Sequence, residues 1–175
     1  MPMYDGPLQI CPRRGWIETD VPFTRTGVDP DEEQLLLTLV RDSRVPDTFT
    51  RRTCYSLLSP WRTDVPGLGR VETAEIYLGA KGKDVSEPVP IQANAAGEAF
   101  DLAKIGQDLA LCRYKFPALI PRPIGARFMD RNQIALFQFA ERAGGLALIA
   151  EAHYRLVPSD QLSAQELEAY RLAAR

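Results

Sequence analysis

A short turn signal between two β-prone runs is the feature that most restricts how this chain can fold. Residues 81–84 read Lys-Gly-Lys-Asp and separate the run RVETAEIYLGA from the run EPVPIQAN. Apolar residues lie among charged ones in the first run and alternate with polar ones at the end of the second. A Gly-containing turn between such runs is typical of a β-hairpin. The sequence therefore predicts two antiparallel strands near the centre of the chain.

Helical patterns lie on both sides of this hairpin. Before it, Asp29 and Pro30 look like an N-cap and a first helical residue, and the run EEQLLLTLVR supplies a buried stripe. We expect this first helix to end near residues 41–44. After the hairpin, apolar residues recur at spacings of three and four from Leu102 onward, until Pro117 ends the second helix.

The remainder of the chain adds strands and a last helix. A short strand is predicted over residues 51–58, and a loop rich in Pro and Gly over residues 59–69. Three strand candidates follow the second helix, in the runs PRPIGARFM, QIALFQFA and LALIAEAHYRLV. A capping box from Ser163 to Glu166 begins the final helix. This order predicts an α/β (α+β) sandwich with a mixed central β-sheet flanked by helices.

The length and composition indicate one domain. The chain has 175 residues, and we divide it into an irregular N-terminal arm (1–28), a core (29–158) and a C-terminal helix (159–175). No run approaches the roughly 18 apolar residues of a membrane span, and the N-terminus lacks a signal-peptide pattern. The three cysteines form no CxxC pair, and the net charge is −2. We therefore predict a cytoplasmic protein with reduced thiols, no membrane contact, and nucleic-acid binding only through a local basic patch.

Two polar side chains project from one face of the second hairpin strand. Gln92 and Asn94 alternate with Ile91 and Ala93 in the run VPIQANAAGE, so they share one face of the strand. Three interpretations stay open: polar groups that satisfy backbone atoms at a strand end, the remains of a metal site, or a working variant of one.

A series of short motifs resembles the restriction-endonuclease-like superfamily, whose motif is written PD-(D/E)XK. The motifs read ETAEIY, PIQANA, a helix containing a Gln, RP, IALFQF and EAHYRLV, and they lie between residues 72 and 157. In the branch that they resemble, a strand of the form E-x-D-E-x-Y precedes one of the form P-V-(E/Q)-A-K-G. The resemblance implies a restriction-endonuclease-like core, Mg²⁺-dependent phosphodiester hydrolysis, double-stranded DNA as the partner, and a homodimer.

The same resemblance places a site on the hairpin. Glu75, Gln92 and Asn94 would surround the reaction centre, with Gln107 of the following helix nearby, and the first two would bind Mg²⁺. Ala74 stands where the motif has Asp, and Asn94 stands where it has Lys. Amide oxygens bring no charge, whereas Mg²⁺ is normally held by carboxylates. We therefore expect ordinary cleavage to be lost or carried by a different arrangement.

Arginines would form the surface that faces DNA. Arg51, Arg52, Arg62 and Arg70 cluster around the first predicted strands, and such side chains commonly contact phosphates. The opposing interpretation is a solvated surface with intervening acids. Our leading hypothesis is a DNA-binding relative of metal-dependent phosphodiesterases. The alternative is a non-catalytic scaffold or interaction subunit that partners an active nuclease in a defence system. The single histidine, His153, is interpreted as structural.

Overall fold

The computed structural model describes residues 7–8, 19–23, 32–57, 61–73, 75–94, 99–130, 132–143 and 145–173. In these ranges the helices are α1 (Glu32–Ser43), α2 (Val45–Thr50), α3 (Leu102–Lys115) and α4 (Ala164–Ala173), with a 3₁₀ turn at Ser159–Gln161 before the last helix. The strands are β1 (Pro7–Leu8), β2 (Thr19–Phe23), β3 (Thr53–Ser56), β4 (Trp61–Val65), β5 (Gly69–Thr73), β6 (Glu75–Lys81), β7 (Asp84–Asn94), β8 (Phe100–Asp101), β9 (Ile124–Asp130), β10 (Gln133–Arg142) and β11 (Gly145–Pro158). None of the helices in these ranges is both long and apolar enough to cross a membrane.

The central feature is a mixed sheet in the strand order β2-β11-β10-β9-β7-β6-β3. Neighbouring strands are antiparallel, except for the parallel pairs β7–β9 and β11–β2. Strands β6 and β7 form the predicted hairpin, whose register runs from Lys81 opposite Asp84 to Glu75 opposite Ile91. The predicted mixed α/β architecture with a central sheet flanked by helices is confirmed.

Helix α1 covers one face of this sheet, which we call the α1 face. Its buried residues Leu36 and Val40 belong to one apolar cluster with Tyr77, Val89 and Ile91 of the hairpin. The C-terminal helix adds to this layer, because the Tyr170 hydroxyl donates a hydrogen bond to the Ser43 carbonyl oxygen at 2.8 Å.

Helix α3 covers the opposite face, which we call the α3 face. Ile76 of β6 packs with Leu111, while Ile105 packs with Phe137 of β10. The helix begins where the sequence predicts, because the Asp101 carboxylate caps it by accepting hydrogen bonds from the backbone nitrogens at 103 and 104, at 2.9 and 3.3 Å. It ends before Pro117, which cannot continue a helix.

The segment predicted as one loop and one strand, over residues 59–80, is different in the structure. Strands β4 and β5 form a separate hairpin, in which Arg62 lies opposite Glu72. Gly67 in its turn and Gly69 at the start of β5 have φ values of 84° and 78°, a conformation that costs glycine little. The prediction of a single strand over residues 70–80 was wrong, since β5 pairs with β4 and β6 pairs within the central sheet.

Two further elements were missed. Strand β2 lies in the segment predicted to be irregular and pairs in parallel with β11, and its Val21 is fully buried in the α1-face cluster. Helix α2 follows directly after α1, because Arg44 takes a left-handed conformation (φ 58°) that breaks the helix and Pro46 then lies in the first turn of the next one. The predicted end of α1 near residues 41–44 is confirmed, whereas the predicted cap at Asp29 and Pro30 lies outside the described residues.

Candidate functional site

Glu75 lies on the α1 face and is held there by an arginine. It is opposite Ile91 in the hairpin register, and directly opposed residues of an antiparallel pair point to the same face. Ile91 belongs to the α1-face cluster. Arg41 of α1 donates a hydrogen bond from Nη1 to Glu75 Oε1 at 2.8 Å. The Glu75 side chain is only 2% exposed, so this carboxylate is a buried member of an ion pair.

Tyr77 lies two residues further along the same face and shares this environment. Burial, and then the neighbouring Glu75 carboxylate, raise the pKa of Tyr77 above its usual range. The phenol therefore stays protonated and neutral at neutral pH. This neighbourhood of Glu75 is the packed interior between α1 and the sheet, and it resembles a structural ion pair more than an open metal site.

Gln92 and Asn94 lie on the α3 face, because each neighbours a residue of the α1 face along β7. In the parallel pair with β9 they are matched with Gly125 and Arg127. Asn94 is buried, and its amide nitrogen donates a hydrogen bond to the Ala99 carbonyl oxygen at 2.6 Å. This hydrogen bond links the end of β7 to the residue before β8.

The four predicted site residues do not converge on one point. Gln92 and Asn94 share the α3 face, but Glu75 lies on the α1 face of the same sheet. Gln107 is on α3, as predicted, yet it is exposed, while its neighbour Asp108 is buried. Ala74 lies outside the described residues. The predicted donor set does not fit Mg²⁺, because its only carboxylate is on the wrong side of the sheet and paired with Arg41.

A carboxylate that sequence reasoning missed does lie on the α3 face. Asp108 of α3 is 3% exposed, and it accepts a hydrogen bond from Thr73 Oγ1 at 2.7 Å on Oδ1. The Lys104 ammonium lies 3.5 Å from the same oxygen and also donates to the Glu72 carbonyl oxygen. The signal was present in the sequence, since Asp108 interrupts the apolar stripe of α3 four residues before Cys112.

The environment of Asp108 disfavours its charged form. Burial raises its pKa from 3.8 to about 6, although Lys104 and the Thr73 hydroxyl act in the opposite direction. A buried carboxylate of this kind binds a proton more readily than usual, and it gains stability from any cation that approaches it. A strongly perturbed carboxyl group beside polar partners is a candidate functional residue.

Two of the predicted DNA-facing arginines are paired with acids. Arg62 Nε lies 2.7 Å from Glu72 Oε2 across the β4–β5 hairpin. Arg52 Nε lies 2.8 Å from Glu87 Oε1, which is also 3.0 Å from Arg122 Nε. The intervening acids expected under the opposing interpretation are therefore present for these two positions.

The other two predicted arginines are more accessible. Arg51 ends α2 in a left-handed conformation and is exposed. Arg70 is exposed on β5, although Asp64 lies directly opposite it in the hairpin. Since Arg62 and Glu72 share that face, opposite charges alternate on the outer surface of the hairpin, and the local field that it presents to a phosphate is reduced.

The histidine and the described cysteines are in positions typical of structural residues. His153 is buried, with Nε2 2.9 Å from Glu151 Oε2 and Nδ1 3.1 Å from the amide nitrogen of Gln133. Both ring nitrogens are thus engaged within the sheet. Burial raises the pKa of Cys54 to about 11 and that of Cys112 to about 12, so neither thiol forms a thiolate nucleophile at neutral pH.

Comparison with known proteins assigns no family to this geometry. No protein-family model, curated protein or solved structure matches the chain. Function must therefore be inferred from the residues of the site and from the motifs that resemble nuclease motifs.

The structural role of Glu75 gives a testable stability difference. Arg41→Ala is expected to lower the free energy of unfolding by about 2 kcal/mol, because it leaves a buried carboxylate without its partner; the value is below that of a fully buried pair since Arg41 is half-exposed. Arg41→Ala combined with Glu75→Gln should recover most of this loss, because no uncompensated charge remains. Urea unfolding of the single and double variants measures the difference. An equal loss in both variants would contradict the proposed role.

Proposed function

We propose that this chain is a restriction-endonuclease-like, double-stranded-DNA-binding protein in which phosphodiester cleavage does not proceed through Glu75. The register of the hairpin is the observation that supports the exclusion of Glu75 from cleavage. Glu75 is opposite Ile91 and bonded to Arg41, so it cannot share an ion with Gln92 on the other face. An ordinary Mg²⁺ site formed by these residues is therefore not expected.

The order and packing of the elements support the proposed relationship. Helix α1 precedes three strands of the central sheet, β3, β6 and β7, and β6 is antiparallel to both of the others. Helix α3 then crosses to β9, which is parallel to β7. The two helices cover opposite faces of the sheet. Apart from α2, β8 and the separate β4–β5 hairpin, this is the helix, three strands, helix and strand order that the sequence predicts.

The cleavage part of the proposal is tested with the wild type and Glu75→Gln. Duplex DNA, single-stranded DNA and RNA are incubated with Mg²⁺ or Mn²⁺, and products are separated on denaturing gels. We expect any activity of the wild type to be retained in Glu75→Gln, because that side chain is remote from the α3 face. Metal-dependent cleavage that is abolished by Glu75→Gln in a folded protein would overturn this part.

The alternative function is a non-catalytic scaffold or interaction subunit that partners a nuclease, and one observation favours it. Arg52 and Arg62 are ion-paired with Glu87 and Glu72, so much of the predicted basic surface is neutralised. A protein that binds through phosphates needs arginines that remain available to them.

A salt titration separates the two functions. Duplex binding is measured with EDTA present, by fluorescence anisotropy at increasing salt. A DNA-binding protein should weaken steeply, with a slope of log K against log salt of about −0.9 for each phosphate contacted. Arg70→Gln should reduce that slope, whereas Arg171→Gln on α4, next to Glu168, serves as a matched control. Absence of binding at low salt would overturn the DNA-binding proposal and favour the scaffold.

A further inference from the structure

We propose that Arg52 and Arg122 together bind one backbone phosphate of duplex DNA, with Glu87 holding their two guanidinium groups side by side. This inference rests on the proposed DNA-binding function and names a phosphate contact within it. The contact differs from the basic surface predicted from the sequence, because it joins an arginine just before β3 to one in the connection between α3 and β9. We call these three residues the arginine clamp.

The two arginines of the clamp meet at a single carboxylate oxygen. Arg52 Nε lies 2.8 Å from Glu87 Oε1, and Arg122 Nε lies 3.0 Å from the same atom. Arg122 is also fixed through its backbone, because its nitrogen donates a hydrogen bond to the Pro88 carbonyl oxygen at 2.8 Å. Three segments that are distant in sequence therefore bring both guanidinium groups to one point.

A glycine on the strand between them makes this arrangement possible. Gly79 of β6 lies opposite Glu87 in the β6–β7 hairpin, and on its other side it lies opposite Cys54 of β3. A Cβ atom at position 79 would lie 3.2 Å from Glu87 Cγ, closer than carbon atoms normally pack, and 3.5 Å from Arg52 Cδ. Because position 79 has no side chain, Arg52 can lie across β6 and reach an acid on the strand beyond it.

The clamp carries more positive than negative charge. The buried acids Glu75 and Asp47 are each paired with one arginine, Arg41 and Arg44 respectively. Glu87 is approached by two arginines, so the clamp holds one positive charge in excess. A charge that is largely removed from water without compensation costs free energy. A bound anion with a single negative charge would offset that cost.

The guanidinium N–H groups of the clamp are not used up by the acid. Glu87 Oε1 is buried and accepts no hydrogen bond of good geometry within the described ranges, although both Nε atoms lie close to it. Arg41 and Arg62, in contrast, each donate a directed hydrogen bond to their acids. The side chains of Arg52 and Arg122 are 25% and 22% exposed, so a ligand at the surface can reach them.

A phosphodiester of the DNA backbone meets these requirements. It carries one negative charge, equal to the excess charge of the clamp, and it has two anionic oxygens, one for each guanidinium group. Arginine forks bind phosphate oxygens through paired, charge-assisted hydrogen bonds. A phosphate monoester carries more charge at neutral pH, so the single excess charge fits the diester better.

The first test follows the arginine Nε–H signals of the full chain by ¹H–¹⁵N NMR, with EDTA present. The probes are a short duplex and, separately, inorganic phosphate. We expect the duplex to shift the signals of Arg52 and Arg122 and to leave that of Arg113, which is paired with Glu141 on another part of the surface. Signals that move with inorganic phosphate but not with a bound duplex would assign the clamp to a free phosphate and overturn the inference.

The second test is the salt dependence of duplex binding for Arg52→Gln, Arg122→Gln and the double variant. Each should reduce the slope of log K against log salt by about 0.9, the value for one phosphate contact. The double variant should lose no more than either single variant, because both arginines hold the same phosphate. Arg113→Gln removes an equal charge from a one-to-one pair and should leave the slope unchanged.

The outcomes separate this inference from the function on which it rests. If the wild type binds duplex but folded Arg52→Gln and Arg122→Gln bind it with an unchanged slope, the clamp is overturned while DNA binding stands. A loss in the double variant that is twice that of each single variant would mean two separate phosphates, which also overturns the clamp. If no duplex binds at low salt, the proposed function itself fails.

Discussion

Replacing Phe100 by alanine is expected to lower the free energy of unfolding by roughly 3–5 kcal/mol, the cost of removing a large buried aromatic ring. Phe100 is fully buried, and its ring lies edge-on to Phe137 at 5.7 Å and to Phe139 at 5.6 Å. The Arg127 guanidinium stacks on the same ring at 5.1 Å. Removal of the ring would leave a cavity between α3 and the sheet, and urea unfolding followed by circular dichroism measures the loss.

The glycine beneath this ring provides the matched test. A Cβ atom at Gly125 would lie 2.5 Å from the Phe100 ring, so the ring approaches the strand as closely as it does because position 125 has no side chain. Gly125→Ala should cost roughly 1–3 kcal/mol through overpacking. The same change in a Phe100→Ala background should cost much less, because the clash is gone. Additive losses in the double variant would show that the two positions do not interact.

Local patterns were sufficient for most of the fold. The hairpin at residues 81–84 was predicted from its turn and flanking runs, and α3 from its apolar spacing and its stop at Pro117. The capping box at Ser163 and Glu166 was predicted from residue type alone, and the structure shows both of its hydrogen bonds, at 2.7 and 3.1 Å. These features depend on neighbours in sequence, which is why they can be read from it.

Features that depend on distant partners were missed. Strand β2 is held by pairing with β11, and a five-residue strand at an edge has no strong pattern of its own. Strand β4 and the turn after it were predicted as a loop, because their Pro and Gly residues are also typical of loops. Its buried residues Val65 and Val71 pack against α3, a contact that no local pattern reveals.

The structure puts the predicted site residues on different faces of the sheet, because register decides which face each side chain occupies. A shift of one residue moves a side chain to the other face of a sheet, and the sequence does not fix whether Glu75 or the residue before it faces Gln92. The structure places Glu75 opposite Ile91, and the carboxylate of the α3 face comes from Asp108 on a helix. Residue type indicated polar chemistry at the end of β7, whereas the tertiary pairing put Glu75 on the other face of the sheet.

Asp108→Asn is expected to change the pH dependence of stability, and the sign follows from its raised pKa. Between pH of about 4 and about 6 the folded protein holds a proton on Asp108 that the unfolded chain has released. The contribution of Asp108 to the free energy of unfolding therefore falls as pH rises through this window. The rise in the pKa of Asp108 from 3.8 to about 6 corresponds to a loss of roughly 3 kcal/mol in the free energy of unfolding. This loss is complete above the window and absent below it.

The asparagine cannot ionise, so the variant lacks this loss. We compare the free energy of unfolding of Asp108→Asn with that of the wild type at each pH. The difference, variant minus wild type, should be larger at pH 7 than at pH 4 by up to roughly 3 kcal/mol. Thr73→Val is the companion variant. It removes the hydroxyl that lowers the pKa of Asp108 in the folded protein, so the upper end of the window should move to higher pH while its lower end stays. Urea unfolding at several pH values, with EDTA present, gives each curve. A constant difference between Asp108→Asn and the wild type would mean that Asp108 does not carry a raised pKa.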